Sequence, residues 1–152
     1  MEDLTKEQKE KISKYVKEYS KWSSKESNIQ EHKQHHIFLK TRLSKENIDK
    51  LNELEFREIY IKLWASNFWG NKDWYIDNKL LKPNSFEKIK VEFKKLLFGE
   101  DSIDVRYDNF ISNIKGFGAS SLTEILNFVF RDKYCLLNDK PITVLPVLGL
   151  FI

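Results

Sequence analysis

Apolar side chains in this 152-residue chain recur mostly three and four positions apart, and that period commits most of the chain to helices. Ile12, Tyr15, Val16, Tyr19 and Trp22 line one face of a helix predicted over about 6–22. It opens on Thr5-Lys6-Glu7-Gln8, a capping-box pattern. Ser23-Ser24-Lys25 breaks the pattern, and a further helix is expected within 28–41. Ile48 and Leu51, then Leu54, Phe56, Ile59, Tyr60, Leu63 and Trp64, mark a second helical stretch that Asn52-Glu53 can divide. Helix should end near Gly70, and 66–84 reads as irregular. Ser85 is placed to cap a helix carrying Phe86, Ile89, Phe93, Leu96 and Leu97, with Gly99 closing it in the left-handed conformation. Tyr107, Phe110, Ile111 and Ile114 line another helix, and Leu122, Ile125, Leu126 and Val129 the next. Asn138 or Asp139 can cap a last helix with Val144, Leu145 and Leu148, in which Pro141 suits an early turn and Pro146 forces a kink.

The expected fold class is therefore all-α. Gly and Pro, at 5 and 3, are too few for the turns of an all-β chain. The length fits a single domain over 1–152, with N-terminal helices over about 1–43, central helices and an aromatic loop over 44–99, and a C-terminal part over 103–150. No apolar run approaches a membrane span. Met1-Glu2-Asp3-Leu4 leads into a Lys/Glu-rich segment with no signal-peptide core. Cys135 is the only cysteine, so a reducing, cytoplasmic setting is expected. It lies in an apolar run and should pack as a small hydrophobe.

The net charge of +3 is unevenly spread. Residues 1–50 carry 12 basic and 9 acidic side chains, 51–100 carry 9 and 8, and 101–152 carry 5 and 6. Only four of the 26 basic residues are arginines, which disfavours base reading by bidentate contacts and leaves phosphate contact by lysine open.

The segment richest in chemical implication is Ile114-Lys115-Gly116-Phe117-Gly118-Ala119-Ser120-Ser121, between two apolar-faced helices. Two glycines let backbone approach a ligand closely, and Phe117 between them can anchor the turn in the core. The amides after Gly118 open a helix and suit a phosphate oxygen. This hydrophobic–x–Gly–hydrophobic–Gly core resembles the helix-hairpin-helix family of DNA-binding proteins. Lys115 stands where many members have Pro. The resemblance implies DNA gripped through strand phosphates by Lys115, Gly116, Phe117, Gly118, Ala119, Ser120 and Ser121, often with a monovalent cation on the turn's carbonyls.

The likeness extends to the DNA glycosylase branch. There a catalytic Asp lies about twenty residues past the second glycine, before a helix ending in Leu-Gly; here that place is Asn138, and the helix reaches Leu148-Gly149. The lysine used by lyase-type members, two residues after the second glycine, is Ser120. Both catalytic groups are replaced, so the expectation is a binding domain without catalytic activity. A divergent glycosylase would have to use Asp139. A protein–protein module, in which the turn is only a turn and the apolar tail an interface, is the third reading.

Leu63-Trp64-Ala65, Phe68-Trp69-Gly70-Asn71-Lys72, Leu97-Phe98-Gly99-Glu100, Arg106-Tyr107 and Lys133-Tyr134-Cys135-Leu136-Leu137-Asn138-Asp139-Lys140 are similar to N-terminal regions of McrB-type restriction GTPases and related defence proteins. The P-loop pattern of their motor is absent. The resemblance implies a DNA-recognition module that works with a downstream motor domain or partner subunit. The apolar ending, Val147 to Ile152, fits either a chain cut at a domain edge or a tail docked on its own core.

Trp69, Trp74 and Tyr75, with Trp64 nearby, can stack on an unpaired base, although large aromatics more often fill a core. Asn71 and Asp73 carry groups that could bond a base edge. His32, His35 and His36 read as a surface cluster with no metal role. Asp101, Asp104 and Asp108 read as favourable charges near a helix start.

Overall fold

A computed structural model describes residues 4–131, 133–136 and 146, with Trp22 described in its backbone only. Among these residues the secondary structure is entirely helical and no strand occurs. They fall into two compact units divided between His35 and His36.

The first unit holds helix α1 (Lys6–Ser23) and the start of α2 (Glu26–Arg42). The capping box forms as its residues dictate: Gln8 N donates to Thr5 Oγ1 at 3.2 Å and Thr5 N to Gln8 Oε1 at 2.8 Å. The apolar stripe of α1 is helical as expected, yet Tyr15, Val16 and Tyr19 along it are exposed.

The larger unit runs over 36–136 and contains the core. After α2, a 3₁₀ turn over Ile48–Lys50 leads to Asn52. Asn52 caps α3 (Glu53–Lys62), its side chain accepting from Glu55 N while Glu55 returns a bond to the Asn52 amide. This reciprocal cap is what splits the apolar run at Asn52-Glu53. Arg42 ties the end of α2 to α3 by bonds to Glu55 at 2.7 Å and Glu58 at 3.0 Å.

The segment 66–84, expected to be irregular, is mostly helical. Asn71 caps a short helix α4 (Lys72–Tyr75) by accepting from Trp74 N. A π-helical stretch, Ile76–Leu81, and a last turn, α5 (Lys82–Asn84), continue it. Buried Ile76 and Leu80 supply the driving force. Pro83 explains the unusual winding. An α-helix would bring its ring against the carbonyl of Lys79 and lack an N–H to bond it. The wider π turn resolves that conflict, with Lys82 N reaching back to Asp77 O.

Ser85 then caps α6 (Phe86–Phe98) as predicted, at a positive φ of 55°. Gly99 closes α6 differently from expectation. Its φ of −65° is ordinary. A side chain there would meet Lys95 O at 2.5 Å and Arg106 Cδ at 2.9 Å, so close approach requires the glycine, and left-handed backbone does not. Helices α7 (Ile103–Asn113) and α8 (Ala119–Val129) complete the described unit. Glu92 on α6 accepts from Lys95 at 2.6 Å and from Asn113 at 3.1 Å, joining α6 to the end of α7. The final helix expected after Asn138 lies outside the described residues, apart from Pro146, which is helical and exposed.

One buried acid holds a loop in place. Glu124 on α8 is 1% exposed, and its two oxygens accept from the amides of Trp64 and Ala65, each at 2.8 Å. Those amides begin a 3₁₀ turn, Trp64–Ser66, whose orphan donors need such an acceptor. Trp64 also meets Phe128 edge-on at 5.0 Å, so it belongs to the fold. Removing the carboxylate strands two amides. Glu124→Ala is expected to cost about 2–4 kcal/mol, read as a lower urea midpoint; an unchanged midpoint would contradict the clamp.

Candidate nucleic-acid interface

The connection between α7 and α8, residues 114–118, begins where buried Ile114 ends the α7 face. Gly116 follows at φ +87°, a left-handed conformation. A Cβ there would overlap Lys79 O and lie 2.8 Å from Leu80 Cδ2. The Lys79 carbonyl is the one that Pro83 leaves without an α-helical donor, and Gly116 provides the gap that accommodates it. Gly118 is different. It is extended, with φ −95° and ψ 166°, and open space surrounds its Cβ position.

Phe117 is buried, with ring centroids 5.3 Å from Phe93, 5.5 Å from Phe110 and 5.6 Å from Tyr60, each in edge-to-face geometry. Its side chain is therefore an anchor and is out of reach of a ligand. Two polar side chains fix the turn from outside. Asn84 Nδ2 donates to Lys115 O and Asn84 Oδ1 accepts from Lys115 N, both at 2.8 Å. Tyr75 Oη donates to Gly116 O at 2.8 Å. Tyr75 in turn stacks on Tyr60 at 5.9 Å. Burial pushes the Tyr60 hydroxyl well above the usual phenol range, and Tyr75 adds to this, against a smaller opposing bond with Ser121.

These bonds bear on the cation that the family resemblance implies. The carbonyls of Lys115 and Gly116 already accept from Asn84 and Tyr75. Each of these carbonyl oxygens has a second lone pair beyond the bond it accepts.

With the turn so fixed, its outer side is Lys115, Gly118 and Ala119, all exposed, with Ser120 half-buried. Ser121 is buried, so its hydroxyl is no surface contact. No side chain caps α8 at Gly118, and its first turn has no acidic residue. The first amides of α8 thus face outward with partial positive charge. Lys79, Lys82 and Lys115 are exposed nearby in the chain or in space, and none forms an ion pair among the described residues. Asp77, the acid closest in sequence to Lys79, pairs with Arg57.

An aromatic surface adjoins the turn. Trp69 and Trp74 are 44% and 53% exposed, so neither fills the core. Trp69 lies 4.0 Å from the Tyr75 ring, the same tyrosine that bonds Gly116. Lys79 Nζ sits 5.8 Å from the Trp74 ring. Phe68, at 97% exposure, extends this surface and was not singled out from the sequence. Asn71 is occupied as a helix cap, whereas Asp73 is exposed.

Other sequence candidates resolve differently. His35 is buried and His36 Nδ1 lies 2.6 Å from Phe128 O, so the histidines are not a surface cluster. Among the described residues no group of three or more potential ligands could hold a metal. Cys135 is exposed, contrary to the packing expected of it. Asp104 lies in the first turn of α7, as its charge favours. Asn138 and Asp139 lie outside the described residues. No described helix is long and apolar enough to cross a membrane. No protein-family model matches the chain, and no curated protein or solved structure matches it either.

The two glycines, equivalent in sequence, should respond oppositely to substitution. Gly116→Ala is expected to cost about 2–4 kcal/mol through left-handed strain and overlap with Lys79 O. Gly118→Ala should stay within about 0.5 kcal/mol of the parent. Chemical denaturation of the pair checks this; equal losses would contradict the geometry.

Proposed function

We propose that the chain binds DNA through strand phosphates, with α7, the turn and α8 acting as a helix-hairpin-helix. The observation that carries this reading is the outward, uncapped start of α8 beside exposed Lys115, on a turn held rigid by Phe117, Asn84 and Tyr75. A rigid array of amides suits a phosphate without reading sequence. Gly118 and Ala119 offer backbone at the surface, Ser120 adds a hydroxyl, and Gly116 serves the turn's shape. Trp69 and Trp74, joined to the turn through Tyr75 and Lys79, offer ring faces to a base that leaves its stack.

Asn138 and Ser120 stand where glycosylases carry their catalytic groups, which favours binding without bond cleavage. The resemblance to N-terminal regions of McrB-type GTPases supports a role in a restriction or defence system, working with a motor domain or partner subunit.

The test is salt-titrated DNA binding with Lys115→Glu combined with Gly118→Glu, which leaves the sterically required Gly116 intact. Affinity should fall at least tenfold. The slope of log affinity against log salt should shrink by about one for each phosphate that the variant no longer neutralises. Unchanged affinity and slope, with an unchanged thermal midpoint, would overturn the proposal.

A further inference from the structure

A second concave region lies at the other end of α8. The ends of α2, α6 and α8 border a cleft of about 510 Å³. Its basic lining is His36, Lys40, Lys45, Arg131 and Lys133, with Ser44 among them and no carboxylate among the described lining residues. Its apolar lining is Phe98, Val129 and Phe130.

Among the described residues, the Lys and Arg side chains of this cleft form no salt bridge. Several cations elsewhere in the unit are paired: Arg42 with Glu55 and Glu58, Arg57 with Glu53 and Asp77, Lys62 with Glu58, Lys94 with Asp49, and Lys95 with Glu92. Lys40, Lys45, Arg131 and Lys133 form no such ion pair among the described residues; Lys133 instead lies 5.4 Å from the Tyr134 ring. Glu46, next to Lys45 in sequence, accepts from its own backbone and from Ser44, with Lys45 a weaker influence. A lone lysine at a helix end complements the helix dipole. Lys40, Lys45, Arg131 and Lys133 gathered around one hollow exceed that need and suit an anion.

The cleft also has a ring surface. Phe98 and Phe130 meet edge-on at 6.1 Å, and both are only partly buried. His36 uses Nδ1–H to donate to Phe128 O, which leaves Nε2 as its other polar atom. A volume of about 510 Å³ suits a small ligand, within the usual range of roughly 300–1,000 Å³. The required ligand is therefore small, anionic at one end and flat and apolar at the other.

We propose that this cleft binds a free nucleoside phosphate, its phosphate held by Lys40 and Arg131 with their basic neighbours and its ring laid on Phe98 and Phe130. The site is separate from the turn and does not rest on the DNA-binding reading.

Isothermal titration of the whole chain with adenosine monophosphate, inorganic phosphate and a short single-stranded oligonucleotide tests it. The nucleotide should bind at least tenfold more tightly than inorganic phosphate. Lys40→Glu with Arg131→Glu should weaken nucleotide binding at least tenfold, and the milder Lys40→Gln with Arg131→Gln should weaken it less. Lys115→Glu with Gly118→Glu should leave nucleotide binding unchanged. Circular dichroism of each variant guards against misfolding, and the glutamine pair keeps the test open if the charge reversal fails to fold. No nucleotide binding, equal affinity for nucleotide and inorganic phosphate, binding of the oligonucleotide alone, or full nucleotide affinity in a folded double variant would each overturn the assignment.

Discussion

The packing of Phe117 against Phe93, Phe110 and Tyr60 is the contact on which the rest of the unit depends. Those partners come from α6, α7 and α3, so one side chain from a turn unites three helices. Edge-to-face aromatic pairs add about 0.5–1.5 kcal/mol each beyond the area they bury. Phe117 points inward and Gly116 packs against Lys79 and Leu80, while Lys115 and Gly118 are exposed.

Polar bonds convert this anchor into a fixed geometry. Asn84 holds both backbone groups of Lys115, and Tyr75 holds the carbonyl of Gly116. Asn84 and Tyr75 belong to the helix that Pro83 forces into a π winding, and the displaced Lys79 carbonyl packs where Gly116 has no side chain. Pro83, Gly116 and the turn's shape are thus one linked feature. The amides at the start of α8 gain rigidity from it, so their orientation costs little entropy at the moment a ligand arrives.

Periodicity made most of the helices legible. The Thr5 and Ser85 caps, the division at Asn52 and the burial of Phe93, Phe110, Leu122 and Ile125 all follow from local pattern. Residues 72–84 were not legible, because Asn71, Asn78, Pro83 and Asn84 read as turn formers. Their helix depends on the burial of Ile76 and Leu80 and on a π winding with no sequence signature. Long-range pairing hid the rest. Glu124 looks like a solvent-facing charge until the Trp64 and Ala65 amides are known to need it, and the basic residues of the cleft come from two distant places, Lys40 and Lys45 and then Arg131 and Lys133. At the turn, the importance of both glycines was readable. Their different tasks required the positions of Lys79 and Leu80.

The central claim is that the first amides of α8 meet phosphate. Amide chemical shifts, followed by NMR while a short DNA duplex is added at low salt, test it most directly. The account predicts that Lys115, Gly118, Ala119 and Ser120 show the largest shifts, and that raising the salt reverses them. Shifts confined to other surfaces, with these four amides unmoved at saturation, would contradict it.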